Sequence, residues 1–180
     1  MKKKWMILFL LVSCLLCSCA GEEKETFGSD LTSTVTLNDF IFTLTAEKTV
    51  YTEEEAAGEE DPFSYKLEME YTGEERIRIW HAGSIGTIAV WNGEKVFYSV
   101  DIEMELMHSY LERNDRITID EWTGEIWTGE PMLEEQKLVP GIYTVTGYID
   151  FQVGEEYEDV NHLKDNDNID CSLSLPLVIQ

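Results

Sequence analysis

Residues able to do chemistry are few in this chain and widely spaced. Its three histidines, His81, His108 and His162, are too far apart to form a His-x-x-x-His metal pair on one helix face. Each reads as a structural or solvent-facing ring. Gly83-Ser84-Ile85-Gly86 resembles a nucleophile turn, but Ala82 stands where Gly-x-Ser-x-Gly needs its first glycine and no strand-turn-helix context follows. It reads as a turn between two strands. Carboxylates are so abundant that two close in sequence carry no acid-base meaning, and no Gly-rich phosphate loop is present, so nothing argues for an enzyme. Two features are candidates for binding. Asp165-Asn166-Asp167-Asn168-Ile169-Asp170 places oxygen ligands at alternate positions, as a calcium loop begins, which makes Asp165, Asp167 and Asp170 candidate ligands. The run lacks the sixth-position glycine and the distal glutamate of such a loop. The repeat WTGEIWTGE puts Trp122 and Trp127 on opposite faces of an extended strand. One ring is expected to pack inward and the other to stand exposed, where it would anchor a protein partner or stack on a sugar.

The cysteines point to a covalent modification. Lys2, Lys3 and Lys4 precede the apolar run WMILFLLVSCLLC, and Leu16-Cys17-Ser18-Cys19 follows with small residues before a cysteine. The run is shorter than the roughly 20 residues that span a bilayer, so it reads as a targeting segment. Leu-x-Ser-Cys resembles the lipobox of secreted lipoproteins, which implies a diacylglyceryl thioether on Cys19 and cleavage before it. Leu11-Val12-Ser13-Cys14 fits the same pattern but would leave an apolar core of only about seven residues. Two acyl chains, at about 0.8 kcal/mol per buried methylene, hold a protein stably on a bilayer. The expected location is therefore the cell membrane, lipid-anchored on its extracytoplasmic side. Cys14 and Cys17 would leave with the signal, and Cys171 would remain the one thiol without lipid, so no intramolecular disulfide is expected. Within CSLSLPLVI, Cys171 shares an alternating face with Leu173, Leu175, Leu177 and Ile179, and it reads as a small buried hydrophobe.

The formal charge is −23, from 13 Lys and Arg against 36 Asp and Glu. Loss of the three signal lysines leaves 10 cations against the same 36 acids, or −26. A surface of this sign repels nucleic acid and anionic head groups. Basic proteins and cations remain as partners beyond the acyl anchor. Much of the excess lies in TEEEAAGEEDP and GEEYEDVNHLKDNDNID, two stretches too polar to order themselves by burial.

The elements that must position these residues are strands. After the signal peptide, residues 1–18, a tether over 19–33 reads as polar and aperiodic, and a single domain is expected over 34–180. Strand candidates run from about Thr34 to Leu37, then FIFTLTAE, FSYKLEMEY, RIRIWH, IGTIAVW, KVFYSV, RITIDEW, GIYTVTGYIDFQV and CSLSLPLVI. In FSYKLEMEY, apolar Phe63, Tyr65, Leu67, Met69 and Tyr71 alternate with polar residues, the pattern of a half-buried strand. Asn92-Gly93 predicts a hairpin with a type I′ turn. Only MELMHSYLER is read as capable of a helical turn or two. The fold expected is an all-β, immunoglobulin-like antiparallel β-sandwich. Pro140-Gly141-Ile142-Tyr143 supports it, because a tyrosine opening a strand after such a turn hydrogen-bonds back across the loop, as in a tyrosine corner.

From Phe63 to about Ile149 the order of features resembles the BsuPI family of intracellular proteinase inhibitors. The matching pieces are LEMEYTGEERIRIWHAGS, the hairpin Trp91-Asn92-Gly93-Glu94-Lys95-Val96, RITIDEW and LVPGIYTVTGYI. The resemblance implies an immunoglobulin-like sandwich and binding to a serine proteinase. It supplies no reactive-site motif that can be matched residue by residue. The function expected is a membrane-anchored protein-binding module with proteinase-inhibitor character. The alternative is an envelope sensor or structural lipoprotein that binds calcium or another ligand and inhibits nothing.

Overall fold

A computed structural model describes residues 31–58, 62–99, 105–124, 138–155 and 168–180. Its elements are β1 (Thr32–Leu37), β2 (Phe40–Ala46), β3 (Val50–Tyr51), α1 (Glu53–Gly58), β4 (Tyr65–Tyr71), β5 (Ile77–Ala82), β6 (Gly86–Trp91), β7 (Val96–Ser99), β8 (Leu106–Leu111), β9 (Arg116–Trp122), β10 (Gly141–Val153) and β11 (Asn168–Ile179). One sheet has the order β1-β2-β4-β9. The other runs β3-β11-β10-β5-β8, with β6 also on β10 and β7 on β6. All pairs are antiparallel except β3 with β11. The chain is thus an all-β sandwich of two mainly antiparallel sheets.

Alternation builds the core. Phe42, Leu44, Leu67 and Met69 face inward from the smaller sheet, and Ile88, Val145, Ile149, Phe151, Leu173 and Leu177 meet them from the larger. Gly147, midway along β10, makes room for the opposite sheet: a Cβ there would lie 2.7 Å from Leu67 Cδ1. The outer edge of β10 is divided in two. Residues Thr144–Ile149 pair with β6, while Gln152 and Val153 pair with β5, so β5 and β6 follow one another along a single strand. Asp120 of β9 links the two sheets. Its Oδ2 accepts the Ile88 N–H at 2.8 Å and lies 3.3 Å from the Thr87 hydroxyl.

Local signals act as expected at Tyr143, whose hydroxyl donates to the Val139 carbonyl at 2.8 Å and accepts the Val139 N–H at 3.2 Å, forming the tyrosine corner. Cys171 is half-buried on the core side of β11. The Asn92-Gly93 hairpin joins β6 to β7, but its turn is not type I′. Gly93 alone of the two has positive φ, at 92°, and Asn92 Oδ1 instead accepts the N–H groups of Glu94 and Lys95.

Three further expectations are corrected. MELMHSYLER contains the strand β8 and no helix, because β5 offers it a six-residue antiparallel partner from Ile77 to Ala82. The helical turn lies instead in the acidic stretch after Thr52, where α1 forms through a reciprocal cap. The Thr52 hydroxyl accepts the Glu55 N–H at 3.2 Å, and Glu55 Oε2 accepts the Thr52 N–H at 2.7 Å. The Lys48 ammonium and this cap hold the Glu55 carboxyl down at about 2. Finally, β1 begins at Thr32, two residues before the expected start at Thr34.

Candidate functional site

The register of β5 with β8 assembles an aromatic and cationic face. Trp80 pairs with His108 and Arg78 with Tyr110, so all four side chains lie on the outer face of the larger sheet. The Trp80 and His108 rings are 5.1 Å apart and tilted, and the Tyr110 ring stands edge-on to His108 at 5.7 Å. Two guanidiniums cover Tyr110, Arg76 at 4.3 Å and Arg78 at 4.9 Å from the ring centre, and Arg78 also lies 5.6 Å from the centre of Trp80. Such contacts bind a cation to a ring face without needing an acid.

Backbone carbonyls fix this array from the end of β10. Arg78 Nη1 donates to the Glu155 carbonyl at 2.5 Å, and the Trp80 indole N–H donates to the Gly154 carbonyl at 3.0 Å. Arg78 Nη2 donates to the Tyr110 hydroxyl. Its Nε is buried without a hydrogen-bond partner, so ring contact takes the place of an acceptor there. The acids nearby are at the margins, Glu112 at 3.9 Å from Arg76 and the Glu155 carboxylate at 4.0 Å from Arg78. Among the described residues β8 pairs with β5 alone. Leu106, Met107 and Tyr110 on that strand are exposed.

Of the residues singled out in the sequence, the described ones lie on different elements, Trp122 on β9, Asp170 on β11, His81 on β5 and His108 on β8. Trp122 is 1 % exposed, stacked on Phe63 at 5.0 Å and tilted against Tyr65 at 5.8 Å. It is a core residue. It has no free face for a partner. Trp127, Asp165, Asp167, Cys19 and His162 lie outside the described residues. Asp170 is exposed on the outer face of β11, directly opposite Asp150. Burial, and then the Asp170 charge, push the Asp150 carboxyl above the ordinary carboxylate range. No group of three or more His, Cys, Asp or Glu suited to a metal occurs among the described residues.

His81 is 8 % exposed on the inner side of β5. Its Nε2 is 3.1 Å from the Ser109 hydroxyl, while Nδ1 faces the Ala82 carbonyl at 3.2 Å, where a triad would place a carboxylate. Ser84 is turned onto its own loop, its hydroxyl bonded to Gly86. Among the described residues no helix is long and apolar enough to cross a membrane. Comparisons with protein-family models, with curated proteins and with solved structures found no match.

Proposed function

We propose that this protein is a lipid-anchored, extracytoplasmic binding module that takes a protein partner on the outer face of β5 and β8. The observation that carries the reading is the array of Trp80, His108, Tyr110 and Arg78 beside the edge of β8 that no described strand pairs with. Tryptophan, tyrosine and arginine are the residue types that dominate binding energy in protein interfaces. An open strand edge adds main-chain hydrogen bonds to an extended partner segment. The order of sequence features shared with the BsuPI family favours a serine proteinase as that partner, and the Leu16-Cys17-Ser18-Cys19 motif favours the lipid anchor.

The test is a titration of the chain from Ala20 to Gln180 against subtilisin-like and trypsin-like proteinases, following substrate hydrolysis and integrity of the chain. Stoichiometric loss of hydrolysis with the chain intact, weakened at least tenfold by W80A together with Y110A, is the expected result. No inhibition across the panel removes the proteinase from the reading, and inhibition indifferent to both substitutions removes the face.

A second reading has one observation behind it. Asp150 and Asp170 oppose one another across β10 and β11, and a divalent cation would relieve that repulsion. It predicts a rise in melting temperature with millimolar calcium that D170N abolishes. An unchanged melting temperature excludes it.

A further inference from the structure

The end of the sandwich at which the described chain begins carries several exposed apolar side chains. The Leu31 carbonyl accepts the Ala46 N–H at 2.7 Å, Ala46 pairs with Tyr65, and the Tyr65 hydroxyl crosses to the Pro176 carbonyl of the larger sheet at 2.9 Å. On the outer face there, Val178 lies between Val50 and Ile142, its partners on β3 and β10. In the adjoining row Thr144 lies between Pro176 and Trp91, and Trp91 is opposite Val96. Thr144 is the one polar side chain in these two rows. Ile142 is 73 % and Val139 63 % exposed, while Val50, Val96 and Trp91 are each exposed by more than a third. Nothing in the packing of the described residues calls for so many open apolar groups in a chain of charge −23.

We propose that this end of the sandwich is a membrane-facing surface that rests on the boundary between head groups and acyl chains of electrically neutral lipid. The inference rests on the reading of Cys19 as the lipid anchor. Residues 20–30 alone separate that cysteine from Leu31. Whatever their conformation, they span at most about 40 Å. A linker so short holds the apolar end near the bilayer at an effective concentration of millimolar order, so a contact too weak to recruit a free protein is populated once the chain is anchored. Trp91 suits the place, since an indole ring prefers the interface. The charge of the chain selects among occupants. Anionic lipid and a second copy of the same acidic chain are both repelled, whereas neutral lipid is not. The geometry also separates tasks. From Ile142 to Val153, β10 rises about 37 Å, which carries the face of Arg78, Trp80 and Tyr110 away from the surface on which Ile142 rests.

The test attaches the anchor chemically. The chain from Cys19 to Gln180 contains every described residue and, with C171A, a single thiol. Coupled through Cys19 to a maleimide lipid in phosphatidylcholine vesicles carrying brominated acyl chains, it is expected to show tryptophan quenching. W91F should reduce that quenching by at least half and W80F should leave it unchanged. I142E or an increase in anionic lipid should lower it. Quenching that is absent, or indifferent to W91F and I142E, overturns the inference, as does sedimentation of the coupled chain as a dimer in detergent that I142E dissociates. Because coupling is chemical, these outcomes do not depend on processing in the cell. The anchor reading is judged separately by acyl labelling of the full chain, which C19S should abolish.

Discussion

Replacing Trp122 by alanine separates a core role from a contact role for the one described tryptophan of the WTGEIWTGE repeat. The ring is 1 % exposed at the end of β9, and its neighbours are Phe63, parallel within 10° at 5.0 Å, and Tyr65 at 5.8 Å. Its strand pairs Trp122 with Tyr65, and the Phe63 N–H donates to the Thr123 carbonyl at 3.0 Å. Backbone pairing would hold these strands in place, so the site cannot collapse fully on the vacated volume. Truncation of a buried tryptophan costs about 3–5 kcal/mol, which includes roughly 0.5–1.5 kcal/mol for each lost ring pair. A domain of this size loses about 2–4 °C of melting temperature per kcal/mol. W122A is therefore expected to melt about 6–20 °C below the parent, and W122F, which keeps a ring on Phe63, to lose only about 1–2 kcal/mol. Calorimetry of the chain from Ala20 to Gln180 measures the shift, and partner affinity below the transition measures contact. A fall of less than about 3 °C together with lost affinity would refute the placement of this ring in the core.

Three further perturbations bear on other parts of the fold. Asp150 ionises with difficulty because of burial and of Asp170, so its folded pKa exceeds the unfolded value of 3.8 and ionisation costs stability as pH rises past that value. D150N is thus expected to stabilise the protein by a few tenths of a kcal/mol at pH 7, with the gain vanishing below about pH 3.8, as thermal melts across pH will show. G86A would place a Cβ 2.2 Å from the Tyr148 carbonyl oxygen, which belongs to the backbone and cannot swing away. The substitution should cost about 1–3 kcal/mol and raise hydrogen exchange along β6 before β11. D120A removes the acceptor of the Ile88 N–H and should cost about 1.5–3 kcal/mol in urea melts, as expected for hydrogen bonds to a charged group.

Much of the sandwich was legible because its strands are buried on one face. Alternation in FSYKLEMEY and CSLSLPLVI carries directly into inward Tyr65, Leu67 and Met69 and inward Leu173, Leu175 and Leu177. The corner at Tyr143 was legible because it needs only a local hydrogen bond. Strand β8 was not, since both faces of its first turn of sequence are open: Leu106 and Met107 are neighbours on opposite sides and both exposed, which erases the period of two. Helix α1 was missed because composition argues against order there, while the cap between Thr52 and Glu55 is a three-residue signal. The proposed binding face is a product of register. Arg78 and Trp80 alternate on β5 and His108 and Tyr110 on β8, a visible cue on each strand, but only pairing across 28 to 32 residues brings them together. The repeat drew attention to Trp122, yet its contact with Phe63 in the core takes that ring out of reach of a partner.

The most direct measurement replaces Tyr110, and in a separate chain Glu68, with a photoreactive benzophenone residue in the full-length protein in living cells. Glu68 is on the outer face of the opposite sheet, so it controls for exposure alone. A discrete protein adduct from position 110 that W80A removes, with none from position 68, is the predicted result. Adducts of equal yield from both positions, or none from position 110, would contradict the assignment of β5 and β8 as the partner-binding face.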